Sequence, residues 1–301
     1  MMIPDATDIS NVFVPTRRVK DAMSLLNQVW FSWRSTDNHS VALVLGPPRS
    51  GKTRIAKIWA ATTLGVEEFP DQGCGPGVRR IVYVELGPKC SMSSFLGDLL
   101  DALGDPAPDY GTWPQKSRRV FGLIRRLKVE LVLIDEGQNI IDANTFSVPR
   151  EIGRWLTELL NMKLCALFIF GEERAEKVFE PFIAGKTQGN DQLEGRCGGV
   201  VYLPPYAWDD LPDRRDFRAM LHAIGQRLPL RAADGLSSIV MALRIHKFAQ
   251  GLIGQAARLI RKACLIAAEK GHSMITMEDF AVAVDGLRIG SARKLVNPFR
   301  V

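Results

Sequence analysis

The sequence predicts an α/β fold: a five-stranded parallel sheet between helices, followed by a small all-helical subdomain. Three observations carry that expectation. Five short apolar runs alternate with segments of helical period. A glycine-containing phosphate-loop motif falls between the first of those runs and the helix after it. From Pro212 onward only helical periodicity remains.

Arg17–Trp33 places Val19, Ala22, Met23, Leu26, Val29 and Trp30 on one side, the signature of an amphipathic helix. Polar Ser35–Ser40 leads into Val41–Leu45, a continuous apolar run suited to a strand buried on both faces. Arg54–Leu64 has a helical period, and Gly65–Gly77, rich in Gly and Pro, is a loop. A strand at Ile81–Leu86 precedes a helix at Ser93–Leu103 and a loop at Gly104–Trp113. The next helix, Arg118–Lys128, turns Val120, Leu123, Ile124 and Leu127 inward. The third strand is Leu131–Ile134, and a helix at Glu151–Asn161 leads to strands at Cys165–Phe170 and Val200–Leu203. Helices at Arg214–Arg227, Ala233–Ala249, Ile253–Lys270 and Met277–Leu287 complete the pattern. The domain expectation is an N-terminal helical segment (1–40), a nucleotide-binding α/β domain (41–208), a helical lid (209–287) and a basic tail (288–301). In that tail, Pro298-Phe299 suits docking into a partner's pocket.

The 301 residues, 46% hydrophobic and 24% charged, are ordinary for a globular protein and sufficient for one large domain plus a smaller one. No apolar run approaches the ~20 residues that span a bilayer. The first residues lack the basic start and apolar block of a secretory signal, so a cytoplasmic protein with no membrane partner is expected. Five scattered cysteines without a C-x-x-C pair argue against a disulfide framework or a zinc site. A net charge of +6 permits a polyanionic partner without requiring one.

The stretch GPPRSGKT fits G-x-x-x-x-G-K-[ST]. Glycines let the backbone wrap phosphate oxygens, and N–H groups at the helix start point at them. Gly46, Pro47, Pro48, Arg49, Ser50, Gly51, Lys52 and Thr53, with Arg54 beside them, are therefore the nucleotide-binding candidates. Lys52 is expected on the β/γ-phosphates and the Thr53 hydroxyl on Mg²⁺. Asp135, ending a buried strand, is the second magnesium candidate, and Glu136 is placed to polarise the attacking water. ATP and Mg²⁺ are the implied cofactors.

With those motifs in place, the chain resembles the TniB/TnsC group of AAA+ transposition ATPases. The resemblance is carried by VELVLIDEGQNI (Val129–Ile140), QGLIGQAARLIRKAC (Gln250–Cys264) and IVYVELGPKCSMSSFLGDLL (Ile81–Leu100). It implies an AAA+ P-loop NTPase with a helical lid, a homo-oligomer or filament formed with ATP on double-stranded DNA, and recruitment of a DDE transposase and a TniQ-type targeting protein. It also implies an arginine finger supplied between subunits, matched by Arg196 in QLEGRCGGVVYL, with Glu194 nearby. The family's DNA-facing loops map onto Lys89, Ser93, Thr112 and Lys116. Trp113 suits either stacking on a base or, as the preferred reading, packing beneath its loop. For Arg125, Arg126 and Lys128 the preferred reading is the solvated face of a helix.

Two departures from the family pattern stand out. Glu172 follows Gly171 where the family has a threonine, and a carboxylate there would repel a γ-phosphate unless it turns away. Gln255 follows G-x-I-G where an arginine normally touches ATP, with Arg258 one turn on as a substitute. Slow hydrolysis, with ATP acting as an assembly switch, is the resulting expectation. The competing expectations are a signalling or defence NTPase working without DNA, and a replication loader or motor.

Overall fold

The computed structural model of the chain describes residues 12–35, 41–65, 80–88, 90–141, 150–178, 197–287 and 296–300. They cluster into two compact units. One comprises Lys20–Pro48 and Lys52–Leu203; the other comprises Met1–Val19, Arg49–Gly51 and Pro204–Val301.

The first unit is built on strands β1 (Val41–Leu45), β2 (Ile81–Glu85), β3 (Leu131–Asp135), β4 (Ala166–Gly171) and β5 (Cys197–Tyr202). They pair in the order β2-β3-β4-β1-β5, with every pairing parallel. Buried strands must be apolar on both faces, and β1, β3 and β4 are buried along their full length. Alternation then sorts the side chains. Leu43, Val84, Val132, Ile134, Leu167 and Ile169 join one core with α3 (Met92–Ala102), α4 (Trp113–Arg126) and α5 (Arg150–Asn161). On the opposite face Phe168 meets Trp59 edge-on at 4.9 Å, and Trp59 meets Trp30 at 5.8 Å. Those two indoles bring in α2 (Lys52–Leu64) and α1 (Arg17–Ser35). A sheet sandwiched in this way exposes its strand ends to solvent, and loops at the carboxyl ends become the place for chemistry.

Two element boundaries differ from the sequence reading for identifiable reasons. Helix α4 starts at Trp113 rather than Arg118, because Thr112 is its N-cap and Pro114 fits the first turn, where a missing N–H costs nothing. β5 starts at Cys197, three residues before its apolar signal. Its Gly198-Gly199 pair has no side chain to register in a hydrophobic pattern, yet the backbone still pairs with β1.

The C-terminal unit holds α6 (Leu211–Arg227), α7 (Ile239–Ala249), α8 (Ile253–Glu269) and α9 (Met277–Leu287). Phe217, Leu221, Ile245, Leu259, Ile260 and Phe280 pack its core. Arg18 donates to Asp213 Oδ2 at 2.5 Å and lies over the Tyr206 ring, so the start of α1 is tied into this unit. Phe299 does not wait for a partner's pocket. It is buried in this unit's own core, stacked on Phe280 with ring centroids 5.1 Å apart, and Asn297 donates to Ala281 O just before it. No described helix is long and apolar enough to cross a membrane.

Candidate functional site

The P-loop joins β1 to α2. Its turn takes left-handed backbone at Arg49 (φ 67°) and Gly51 (φ 101°), the kind of loop whose successive N–H groups suit an anion. Ser50 Oγ is buried there without a hydrogen-bond partner among the described residues. Lys52, the first residue of α2, is buried and donates from Nζ to Gly46 O at 2.8 Å and Pro47 O at 3.0 Å. Burial pulls its ammonium below the ordinary lysine range, opposed by the Glu136, Asp135 and Glu172 carboxylates. A cation facing three carboxylates at strand ends is suited to holding a polyphosphate among groups that would otherwise repel it.

Asp135, 3% exposed, closes β3. Its Oδ2 accepts from Thr53 Oγ1 at 2.6 Å and from Tyr83 OH at 2.9 Å, and its Oδ1 accepts from the Glu136 N–H at 2.9 Å. Burial, and the neighbouring Asp135 carboxylate, push the Tyr83 phenol above its usual range, so it serves as a donor. A hydroxyl and a carboxylate oxygen in contact form the hard-oxygen donor pair that magnesium takes, with water and phosphate completing its shell. Among the described residues no group of three or more His, Cys, Asp or Glu side chains gathers into a metal cage. The donor set fits Mg²⁺.

Glu136 occupies the left-handed region at φ 56°, an unfavourable place for a residue with a Cβ. Its carboxylate accepts from Gln138 Nε2, and Gln138 Oε1 accepts from the Glu172 N–H at 2.9 Å. Glu172 turns its own carboxylate to Arg174 Nε at 3.2 Å, so the charge expected to repel a phosphate has a cationic neighbour. Asn139 Nδ2 donates to Leu86 O at 2.8 Å, pinning the loop after β3 to the end of β2. Sequence reasoning missed Tyr83, Gln138 and Asn139. The run Asp135-Glu136-Gly-Gln-Asn was in view, but only its acids carried a motif.

Gln255 lies in the other unit, where it accepts from Arg49 Nη1 at 2.6 Å, while Gly254 N donates to Arg49 O at 3.0 Å. Arg258 is exposed. Lys89, Glu194 and Arg196 lie outside the described residues.

Of the remaining DNA candidates, Ser93 and Thr112 are exposed. Lys116 is not: it is 3% exposed, and its Nζ donates to Ser93 O at 3.2 Å. Its charge also steadies Asp98. Where a phosphate contact is expected of Lys116, the structure has its ammonium buried and joining α4 to α3 instead. Trp113 is corrected in the opposite sense. Instead of packing beneath its loop it is 45% exposed and lines a surface cleft of about 500 Å³ with Arg118, Arg125 and Met162. Arg119 is structural as well, bonded to Asp105, Ala107 and Tyr110.

A parallel sheet in the order β2-β3-β4-β1-β5, a P-loop after β1, an acidic pair at the end of β3 and an all-helical C-terminal unit define the AAA+ class of P-loop ATPase folds. Within that class the chain belongs to the TniB family: the family described as Bacterial TniB protein matches residues 9–181, more than half of the sequence. A 26S proteasome regulatory subunit 6B homolog from Encephalitozoon cuniculi is 24% identical over 285 residues, covering 92% of this chain and 61% of that protein. The chain thus spans less than two thirds of that relative's length. Among solved structures, the ORC1 protein of Aeropyrum pernix in complex with DNA matches with a TM-score of 0.65 at 18% identity, covering 95% of this chain and 68% of that one. CDC6P of Pyrobaculum aerophilum gives 0.64 at 18% identity over 97% and 73% of the two chains. RuvB of Thermotoga maritima, solved as a lysine-to-arginine mutant, gives 0.53 at 14% identity over 90% and 70%. At these identities the likeness is one of fold.

Proposed function

We propose that this chain is an ATP-hydrolysing regulator of transposition that assembles as an oligomer on double-stranded DNA and recruits a DDE transposase and a TniQ-type targeting protein. The observation that carries the reading is the meeting of Lys52, Thr53, Asp135 and Glu136 at the carboxyl ends of β1 and β3 in a member of the TniB family.

In this reading P-loop N–H groups and Lys52 bind the β/γ-phosphates, and Lys52 leaves its present carbonyl partners to do so. Thr53 and Asp135 would hold Mg²⁺, which when bound would supply positive charge to offset that of the phosphates. Glu136 orients a water and takes its proton as the water oxygen bonds to the γ-phosphorus. The bond from that phosphorus to the bridging oxygen breaks, and ADP leaves with the electron pair. Arg196 completes a neighbouring subunit's site. Residues 41–208 are the ATPase domain and 209–287 a lid. Lys89, Ser93 and Thr112 face the DNA backbone. The ORC1 relative was solved on DNA, which supports a DNA-bound reading of the shared fold.

Glu136→Gln tests the reading directly. With Mg²⁺, ATP and a duplex, the variant should bind nucleotide with wild-type affinity, lose about 10²-fold or more in hydrolysis, and stay assembled on DNA in electron micrographs. Assembly that ignores DNA would replace transposition with a DNA-independent switch, and loss of nucleotide binding would remove Glu136 from its role.

A further inference from the structure

The end of β4 and the loop after β3 are joined by one side chain that the hydrolytic reading does not use. Gln138 is 4% exposed, and both ends of its amide are engaged. The Nε2 group donates to Glu136 Oε2, and the Oε1 atom accepts the Glu172 backbone N–H at 2.9 Å. The two partners fix the amide orientation: a carboxylate only accepts and a backbone N–H only donates, so a flipped amide would lose both bonds. Burial means that water cannot replace either one cheaply.

Gly171 makes room for this side chain, and Gly137 lets the loop approach β4. A Cβ added at Gly171 would stand 2.9 Å from Gln138 Oε1 and 3.0 Å from Ala175 Cβ. One added at Gly137 would stand 2.5 Å from Ile169 Cγ2 and 3.2 Å from Phe170 O. Neither glycine has the positive φ that would otherwise account for it, so close approach is the reason for both. The loop is held from the other side by Asn139 on Leu86 O and by Asn139 N on Glu136 O at 2.8 Å.

We propose that Gln138 is a positioning residue for hydrolysis: its amide fixes the Glu136 carboxylate and makes that position depend on the backbone at the tip of β4. The proposal rests on Glu136 being the group that activates water. One carboxylate oxygen is occupied by the amide, leaving the other to accept from water. A displacement of the Glu172 N–H carries the amide with it, and with the amide the carboxylate. The tip of β4 and the water-activating group are thus linked through a single side chain.

The experiment compares wild type with Gln138→Leu, Gln138→Asn and Gly171→Ala, measuring steady-state hydrolysis, binding of a non-hydrolysable ATP analogue with Mg²⁺, and amide exchange of the segment around Glu172 without nucleotide. Gln138→Leu keeps volume and loses both bonds. It should lower kcat roughly tenfold or more, leave KM and analogue Kd within about threefold, and speed exchange at the Glu172 amide. Gly171→Ala, which leaves the glutamine in place but crowds its amide, should reproduce the kcat loss. Gln138→Asn has the same amide on a shorter stem and should not rescue, since it cannot span both partners. A wild-type kcat in Gln138→Leu, or a fall in kcat accompanied by an equal loss of analogue affinity, overturns the proposal while leaving the ATPase reading intact. Wild-type protein that neither binds the analogue nor hydrolyses ATP overturns both.

Discussion

Lys116 and Gln138 mark the two ways a single residue can mislead a reader of sequence. The first is one of six cations between positions 116 and 128, and nothing in the string separates the one that is buried on Ser93 O from the exposed ones. The second is a glutamine beside a recognised acidic pair, and its importance comes from a backbone N–H 34 positions away. Spacing reports neighbours along an element, whereas both of these residues act across elements. The G-x-I-G element, by contrast, was legible, and its glycines have separate causes. Gly251 has φ 76°, and a Cβ there would collide with the Tyr206 backbone; Gly254 leaves 2.8 Å between a hypothetical Cβ and Arg49 O. Gly251→Ala combines a left-handed alanine with backbone overlap and should cost at least about 2 kcal/mol. Chemical denaturation followed by circular dichroism would check this; a loss below ~0.5 kcal/mol would mean that the loop relaxes freely.

At the scale of elements, helix termini hold much of the specification. Thr276 and Asp279 form a reciprocal cap at the start of α9: Thr276 N donates to Asp279 Oδ2 at 2.9 Å, and Asp279 N donates to Thr276 Oγ1 at 3.3 Å. Lys270 and His272 add bonds from the end of α8 at 3.1 and 3.0 Å, so one carboxylate fastens two helices. Burial alone would raise its pKa, but the bonds from Thr276, His272 and Lys270 outweigh burial and hold it well below the usual range. Because the folded state binds this proton more weakly than the unfolded chain, the contribution is complete above the unfolded value near ~3.9 and is lost as pH falls through the depressed folded value. Asp279→Asn should therefore destabilise the protein by about 1–3 kcal/mol at pH 7, with the gap to wild type shrinking toward pH 3. Urea titrations at the two pH values measure this. A constant gap would assign the effect to packing rather than to charge. Such a cap is visible in sequence as T-x-x-D, but the two donors from α8 are not, because no spacing rule links a helix end to the next helix's start.

For the molecule as a whole, the net charge of +6 was uninformative until side chains were sorted by exposure. Lys52 and Lys116 are buried and Arg119 is bonded to its own loop, so none of the three is presented to the backbone of a duplex. Among the described residues near the expected DNA loops, Ser93 and Thr112 are exposed, with Arg118, Arg125 and Trp113 around the adjoining cleft. Binding through a few phosphate contacts releases counterions, so the logarithm of affinity should fall linearly with the logarithm of salt, at about −0.9 per phosphate neutralised. Duplexes of unrelated sequence should give the same line, since phosphates carry no sequence information. Lys89→Ala should make the slope shallower by about one for each contact it supplies. Lys116→Met should leave the slope as it is in wild type while lowering thermal stability, because its ammonium bridges α3 and α4. Fluorescence anisotropy across a salt series, on wild type and both variants, separates the outcomes. A shallower slope in Lys116→Met at unchanged stability would return that lysine to the DNA face and remove the bridging role assigned to it.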